Sequence, residues 1–342
     1  MGVSMKNIVF HTGNLCWGPN SQVAADRRIY MKYGVKKIAA LLLTLLFVSF
    51  ITFIAFQVIP GDSVISSLGT QATPEAIEAL REELGLNENV IHRYLGWLKD
   101  TAQGDFGTSL SYKLPVISLI KERMPVTLTL AGFSMVLILV ISIPLGAFTG
   151  RRKDGAIDNI VTFLLHLTMA VPPFFLGILL TLIFGLILNW FVPGNYIGFK
   201  ESPGAFISYM VFPAIAMALP KIAMVVKFLR SSIIRQLQMD YVRTAKSKGN
   251  TEREIMYRHV LKNAFLPVIT FIGMVFADVL AGSIIIEQVF SLPGLGRLLV
   301  SSISNRDYPV VQIIILYTAA VVILLNFIVD ILYRVIDPRV RK

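Results

Sequence analysis

The chain has 342 residues, 55% of them hydrophobic and only 15% charged, with a formal net charge of +11. That balance excludes a soluble globular protein of this size, and apolar runs of about 20 residues make it a polytopic membrane protein. Its Lys and Arg residues are dispersed over short inter-span segments, which excludes a nucleic-acid-binding surface.

Residues 1–30 are polar and irregular in pattern. Met31-Lys32 reads as a natural start just before a basic flank, so this stretch is expected to be a disordered extension or the product of a misassigned start codon. Cys16, the only cysteine, lies in it, which leaves no intrachain disulfide and no Cys-based metal site. The first span, within a unit of residues 31–60, is expected over Ile38–Ile59. As a helix it rises about 33 Å, enough for a hydrocarbon core of roughly 30 Å. Its apolar core exceeds that of a cleaved leader, and FQVIPGD follows without a small-x-small site.

Residues 61–125 carry nine acids against six bases and read as a small folded segment outside the membrane. Thr73-Pro74-Glu75 supplies a capping side chain, a proline at the first helical position and an acid in the first turn, predicting a helix Pro74–Leu84 that stops at Gly85. A second helix, Glu88–Ala102, is expected to present Ile91, Tyr94, Leu95 and Leu98 on one face. GDFGTSL (Gly104–Leu110) reads as a turn.

Residues 126–342 form a five-span core. Spans are expected at Val126–Phe148, within Ile157–Phe191, at Phe206–Leu229, Phe265–Ile286 and Val310–Leu332. Ile157–Phe191 is too long for one straight span and too short for two. Pro172-Pro173 should break it into a half-helix and a span near Val171–Trp190, and Pro213 and Pro220 should kink the fourth span. The fold class is therefore all-α, with six transmembrane helices. Lys and Arg cluster before the first span, after the second, after the fourth and at the C-terminus, so both termini are expected on the cytoplasmic side of a bacterial or archaeal inner membrane.

Residues 235–263, between the fourth and fifth spans, form a charged loop. Asp240 can cap a short helix Val242–Lys248 that ends at Gly249. Thr251 starts a second helix, with Glu254 three residues later completing a capping box. The two short helices make a knuckle in which Ala245 and Gly249 are small enough for another protein's backbone to approach.

From Asp240 to Pro267 the loop reads DYVRTAKSKGNTEREIMYRHVLKNAFLP. Ala245, Gly249 four residues later and Pro267 resemble the EAA loop of binding-protein-dependent ABC importers. The series VIPGD, ELGLN, YLGWLKD, GDFGTSL, RMPVTLTL and EQVFSLPGLGRLLVSSISNRDYP resembles the dipeptide/oligopeptide/nickel permease branch over about nine-tenths of the chain. The resemblance implies a type I permease fold and import of peptides, or of nickel or other metal chelates, delivered by an extracytoplasmic solute-binding protein. It also implies a second, homologous permease and two ATP-binding subunits that carry ATP and Mg, with no cofactor in this chain. The ATPase-coupling residues would be Asp240, Tyr241, Arg243, Ala245, Gly249, Glu254, His259, Asn263 and Pro267. Arg243-Thr244-Ala245 departs from Glu-Ala-Ala, so no acid at 243 can make the contact. The outer mouth would be shaped by 61–125 and Glu287–Pro309, with Asp62, Asp105 and Glu287 near the pore entrance.

No G-x-x-x-x-G-K-[ST] occurs, so ATP phosphates are not cradled here. The four histidines, His11, His92, His166 and His259, lack ligand-like spacing, and no serine sits in a nucleophile elbow; no catalysis and no metal site are expected. Ionisable groups at membrane depth remain as pore or gate candidates: Asp278, Glu287, His166 and Lys221, with Lys227 nearby. Lys221 and Asp278 are compatible with a pair or with separate partners, Glu287 with a gate contact or a helix-end charge, and His166 with a packed polar group or a ligand. An ion-coupled secondary transporter without an ATPase is the alternative, disfavoured by the knuckle and the scarcity of midplane charge pairs. An intramembrane enzyme would need a convergent catalytic set that is not found.

Overall fold

The computed structural model describes residues 19–58, 73–83, 88–153 and 155–336. The chain divides into a leading unit, Met1–Thr44, and a bundle, Leu45–Lys342. Among the described residues the long elements are all helical. Helix α1 is Pro19–Val58, α2 Pro74–Glu83, α3 Val90–Ala102 and α4 Val116–Arg151. A broken pair follows, α5 (Ala156–Ala170) and α6 (Pro173–Ile187), and then α7 (Pro203–Leu237) and the short α8 (Asp240–Ser247). The chain ends with α9 (Glu252–Val289), α10 (Leu295–Ser304) and α11 (Tyr308–Ile336).

Five described helices are long and apolar enough to cross a membrane, and counting the bent pair as one span brings the number to six. Counted in that way, six crossings would return the chain to the side on which it started. The break in the third crossing follows Pro172-Pro173, where the axes turn by 96°; two missing N–H donors and a non-helical Val171 leave the helix no ladder to continue. The last turns of α6, Thr181–Ile187, widen into π geometry. Pro213 and Pro220, by contrast, lie within a helix that runs continuously from Pro203 to Leu237. Burial on nearly all sides holds α7 together where an exposed helix would be expected to give way.

Several boundaries differ from those read off the hydropathy. Residues 19–30, expected to be irregular, continue α1 as helix; once the apolar span has nucleated it, each added residue gains a hydrogen bond. Residues 1–18, with Cys16, lie outside the described residues. The second crossing begins ten residues early, at Val116, because Val116, Leu119 and Ile120 pack with Leu295, Leu298, Val310 and Ile313. The fifth crossing starts at Glu252 and absorbs the second knuckle helix that was expected to be separate.

Helix α7 is the hub. Its buried side holds Tyr209, Met210, Met217, Val225 and Val226 against α4 and α9. Close approach of α4 depends on Gly146 and Gly150, where an added Cβ would come within 2.9 Å of Leu229 and Ile233. Helices α2 and α3, expected outside the membrane, behave partly as read from sequence. Thr73 Oγ1 accepts from the Ala76 N–H at 3.3 Å, and Asn89 caps α3. The face of α3 that docks is carried by Tyr94, not by Ile91 and Leu95, which are exposed. Tyr94 packs edge-on to Phe53 at 5.4 Å and shares a 2.9 Å hydrogen bond with Ser49 of α1.

Candidate coupling knuckle and polar sites

The knuckle follows the C-terminal end of α7. Asp240 is the first residue of α8 and Met239 precedes it as a cap without a side-chain bond, so Asp240 supplies first-turn charge rather than the expected cap. Its carboxylate lies 3.7 Å from Arg243, and both side chains are solvated. Helix α8 ends in a paired closure. The Gly249 N–H donates to Lys246 O at 3.0 Å and the Asn250 N–H to Ala245 O at 3.4 Å, with Gly249 at φ +80°; this is the left-handed terminator that glycine adopts at least cost. Thr251 then caps α9. Glu254 N–H donates to its hydroxyl at 3.3 Å, and the Glu254 carboxylate accepts from the Thr251 N–H at 2.9 Å, completing the expected capping box.

Ala245 does not face outward. Together with Val242, Ile255, Met256 and Val260 it is buried against Leu229, Ile233 and Ala264, so its small size serves packing inside this chain. Gly249 is exposed, and an added Cβ there would meet nothing within 4 Å. The outward face therefore comprises Asp240, Arg243, Lys246, Gly249, Glu254 and Tyr257. Tyr241 is half-buried and donates to Gln236 Oε1 at 2.9 Å. His259 and Asn263 are likewise half-buried, and Pro267 is exposed within α9.

At membrane depth the structure joins Lys221 of α7 to Asp278 of α9 as an ion pair. Asp278 lies about 16 Å from the outer end of its helix, near the middle of a hydrocarbon layer of roughly 30 Å. Its side chain is nevertheless 57% exposed on the subunit surface. Contact with lipid at that depth costs roughly 2.5–3.5 kcal/mol on insertion scales. Lys227 donates to His166 Nε2 at 3.1 Å, linking α7 to α5.

Glu287 is neither an open gate charge nor a solvated rim group. It is fully buried, and its carboxylate accepts from the Thr127 hydroxyl at 2.6 Å and the Arg297 N–H at 3.1 Å. Thr127 Oγ1 in turn accepts from the Leu295 N–H at 2.8 Å. Together they satisfy the first N–H groups of α10, where negative charge is favoured. A Cβ on Gly294 would overlap the Glu287 carboxylate, so LPGLGR is the tight turn that lets α10 fold back over this group. Asp105 is exposed and its Oδ1 accepts from the Gly107 N–H at 2.9 Å, closing the GDFG turn. Asp62 lies outside the described residues.

Two arrangements were missed from sequence. Asp158, 1% exposed in the first turn of α5, takes a bidentate pair of bonds from Arg230 at 2.6 and 2.9 Å. Asp307, fully buried, accepts from the Ser109 hydroxyl and from the Leu110 and Ser111 N–H groups at 3.1 and 3.2 Å. It thereby ties the outside GTSL loop to the NRDYP linker before α11. An acid just inside an apolar helix was the available signal for Asp158; for Asp307 only the co-occurrence of the two segments pointed to contact.

These elements match known proteins in order and extent. The profile described as binding-protein-dependent transport system inner membrane component matches residues 142–342, and the companion N-terminal profile matches residues 30–131. The chain belongs to that family. It is 36% identical to the oligopeptide transport system permease protein AppB of Bacillus subtilis over 86% of this chain and 95% of that protein. It is 35% identical to the dipeptide transport system permease protein DppB of Lactococcus lactis over 91% of this chain and 99% of that one. A chain of the MetNI methionine ABC transporter, solved in inward-facing conformations, shares the fold with a TM-score of 0.51 at 16% identity, covering 64% of this chain and 96% of that one. As an inner membrane component, the chain is a multi-pass permease subunit and the transport part of its system rather than an enzyme. Membership brings with it a binding protein and an ATPase as partners.

Proposed function

We propose that this chain is one of two homologous permeases forming the pore of an ATP-driven peptide importer, fed by an extracytoplasmic binding protein and driven by two ATP-binding subunits. The observation that carries the peptide reading is similarity over almost the whole chain to permeases named for oligopeptide and dipeptide transport. ATP and Mg then act on the partner subunits, and no cofactor resides here. The exposed knuckle around Gly249 is the part that an ATPase groove would hold, because it is solvated, charged and rigidly closed by the capping box and the glycine terminator.

The test is to co-express the chain with neighbouring genes for a second six-span permease, P-loop ATPases and a secreted binding protein, and to purify the assembly. Peptide retained by the binding protein, and its ATP-dependent uptake by liposomes carrying the complex, are expected. A nickel chelate retained in its place would overturn the peptide assignment. Uptake driven by an ion gradient with no ATPase attached would overturn the importer.

A further inference from the structure

The exposed sides of the spans are not alike. On α6 that side is built from Phe175, Ile178, Leu182 and Leu186, and on α1 it includes Phe47 and Phe50. These are surfaces that a lipid chain can cover. From Met274 to the end of α9 the exposed residues are Met274, Asp278, Ala281, Gly282, Ile285 and Gln288. Their spacing of four, three, one, three and three places them on one stripe of the helix. The stripe contains a carboxylate, an amide, two small residues and a flexible thioether, and an added Cβ on Gly282 would meet nothing within 4 Å. Lys221 reaches the same stripe from α7 and closes on Asp278.

Lipid is a poor cover for such a stripe, since the carboxylate would be exposed to hydrocarbon near mid-span. A dry protein interface would also be poor, because an ion pair so exposed on its own subunit would need every remaining lone pair satisfied from across the contact. Water suits it, and so does a solute that brings its own charges. We infer that this stripe is the wall this subunit gives to the solute pathway, and that the Lys221–Asp278 pair closes the pathway at mid-membrane. The pair parts to receive the carboxylate and the ammonium of a zwitterionic solute. Exchange of one ion pair for two keeps both protein charges compensated throughout, so passage does not strand either one. Ala281 and Gly282 leave the room beside the pair, and Met274 adapts to varied side chains. This inference rests on the importer reading above and deepens its substrate class.

The experiment uses the complete transporter in liposomes, with its partner subunits and binding protein, in a Cys16→Ala background. Gly282→Cys should react with an impermeant, water-borne thiol reagent about tenfold faster during turnover than the lipid-side control Ile178→Cys, because only a hydrated thiol forms the reactive thiolate. Equal reactivity would overturn the pathway. Asp278→Asn and Lys221→Met should each lower the peptide moved per ATP hydrolysed about fivefold, the mark of an interaction made during passage. Binding-protein-stimulated ATP hydrolysis should persist in both, and Lys221→Arg should retain coupling. If uptake and hydrolysis fall in proportion, the pair is a structural tie; if neither changes, it lies off the route, and either result overturns the gate. Should the wild-type complex hydrolyse ATP yet move no peptide, the peptide reading fails by itself. The cysteine comparison, and the coupling measured with whatever ligand the binding protein retains, would still decide the stripe.

Discussion

At Glu287 the sequence offers two readings, a gate contact or a helix-end charge, and burial chooses between them. The carboxylate accepts hydrogen bonds from Thr127 and from the start of α10, so its work is to hold α10 in place. Glu287→Gln keeps the shape but, with its oxygen left on the Arg297 N–H, puts an amide nitrogen where the Thr127 hydroxyl now donates, so that bond is lost. A loss of about 1–3 kcal/mol is expected, the cost of an unsatisfied buried polar group, read as a lower melting temperature of the purified subunit. Gly294→Ala should cost a similar 1–3 kcal/mol through overlap with the same carboxylate. Unchanged melting for both would mean that α10 is not anchored there. The ionisable residues illustrate what sequence can and cannot convey. Hydropathy located Asp278, Glu287, His166 and Lys221 within or beside spans, because charge in an apolar run is conspicuous. It carried no information on which neighbour each would meet, since Lys221 and Asp278 are 57 residues apart and their contact depends on how α7 and α9 pack. Asp307 was passed over altogether, because an acid in a short polar linker looks solvated until the loop it bonds is brought to it.

The helices were legible where local chemistry sets them and illegible where packing does. The capping box of Thr251 and Glu254, the glycine stop at 249 and the break at Pro172-Pro173 all follow from hydrogen bonds within a few residues. Helix lengths did not, since Val116–Arg151 and Glu252–Val289 extend beyond their apolar runs by packing at the bundle ends. The same distinction divides Ala245 from Gly249. Ala245 is small because Val242 and its neighbours pack inward, whereas Gly249 combines a positive φ with an open surface. Gly249→Ala should therefore cost about 1 kcal/mol of local stability and leave ATPase association largely intact. Gly249→Trp adds bulk on the exposed face and should abolish both uptake and co-purification of the ATPase, with membrane insertion unaffected. Normal transport by the Trp variant with its ATPases bound would show that the knuckle is not the docking point.

Across the whole molecule, the distribution of Lys and Arg predicts which ends of the bundle are cytoplasmic, and the six crossings carry that assignment from one loop to the next. Single cysteines at Thr101 and Ser247 in a Cys16→Ala chain test it. An impermeant thiol reagent applied to intact cells should label position 101 and spare 247. The reverse pattern would invert the bundle and put the knuckle out of reach of any cytoplasmic ATPase. At the outer end, Asp105 is solvated and closes its own turn, so its charge is free to influence how a binding protein approaches. Reversal to Lys should weaken binding-protein stimulation of ATP hydrolysis most at low salt and least at high salt, as expected of a rim charge. Stimulation equal to wild type at every salt concentration would remove Asp105 from that surface.

The bond between Asp307 and the loop at Ser109–Ser111 also orders events in time. The loop leaves the ribosome nearly 200 residues ahead of its partner, the separations being 196 to 198 residues. At synthesis rates of about 5–20 residues per second, it waits roughly 10–40 s with two backbone donors and a hydroxyl bonded only to water. During that interval four further helices must thread the membrane before the carboxylate arrives. The outer segment is thus among the first parts of the chain to be made and among the last to be locked. A nascent chain stalled short of the final span would expose this loop to surface proteases that the finished protein resists.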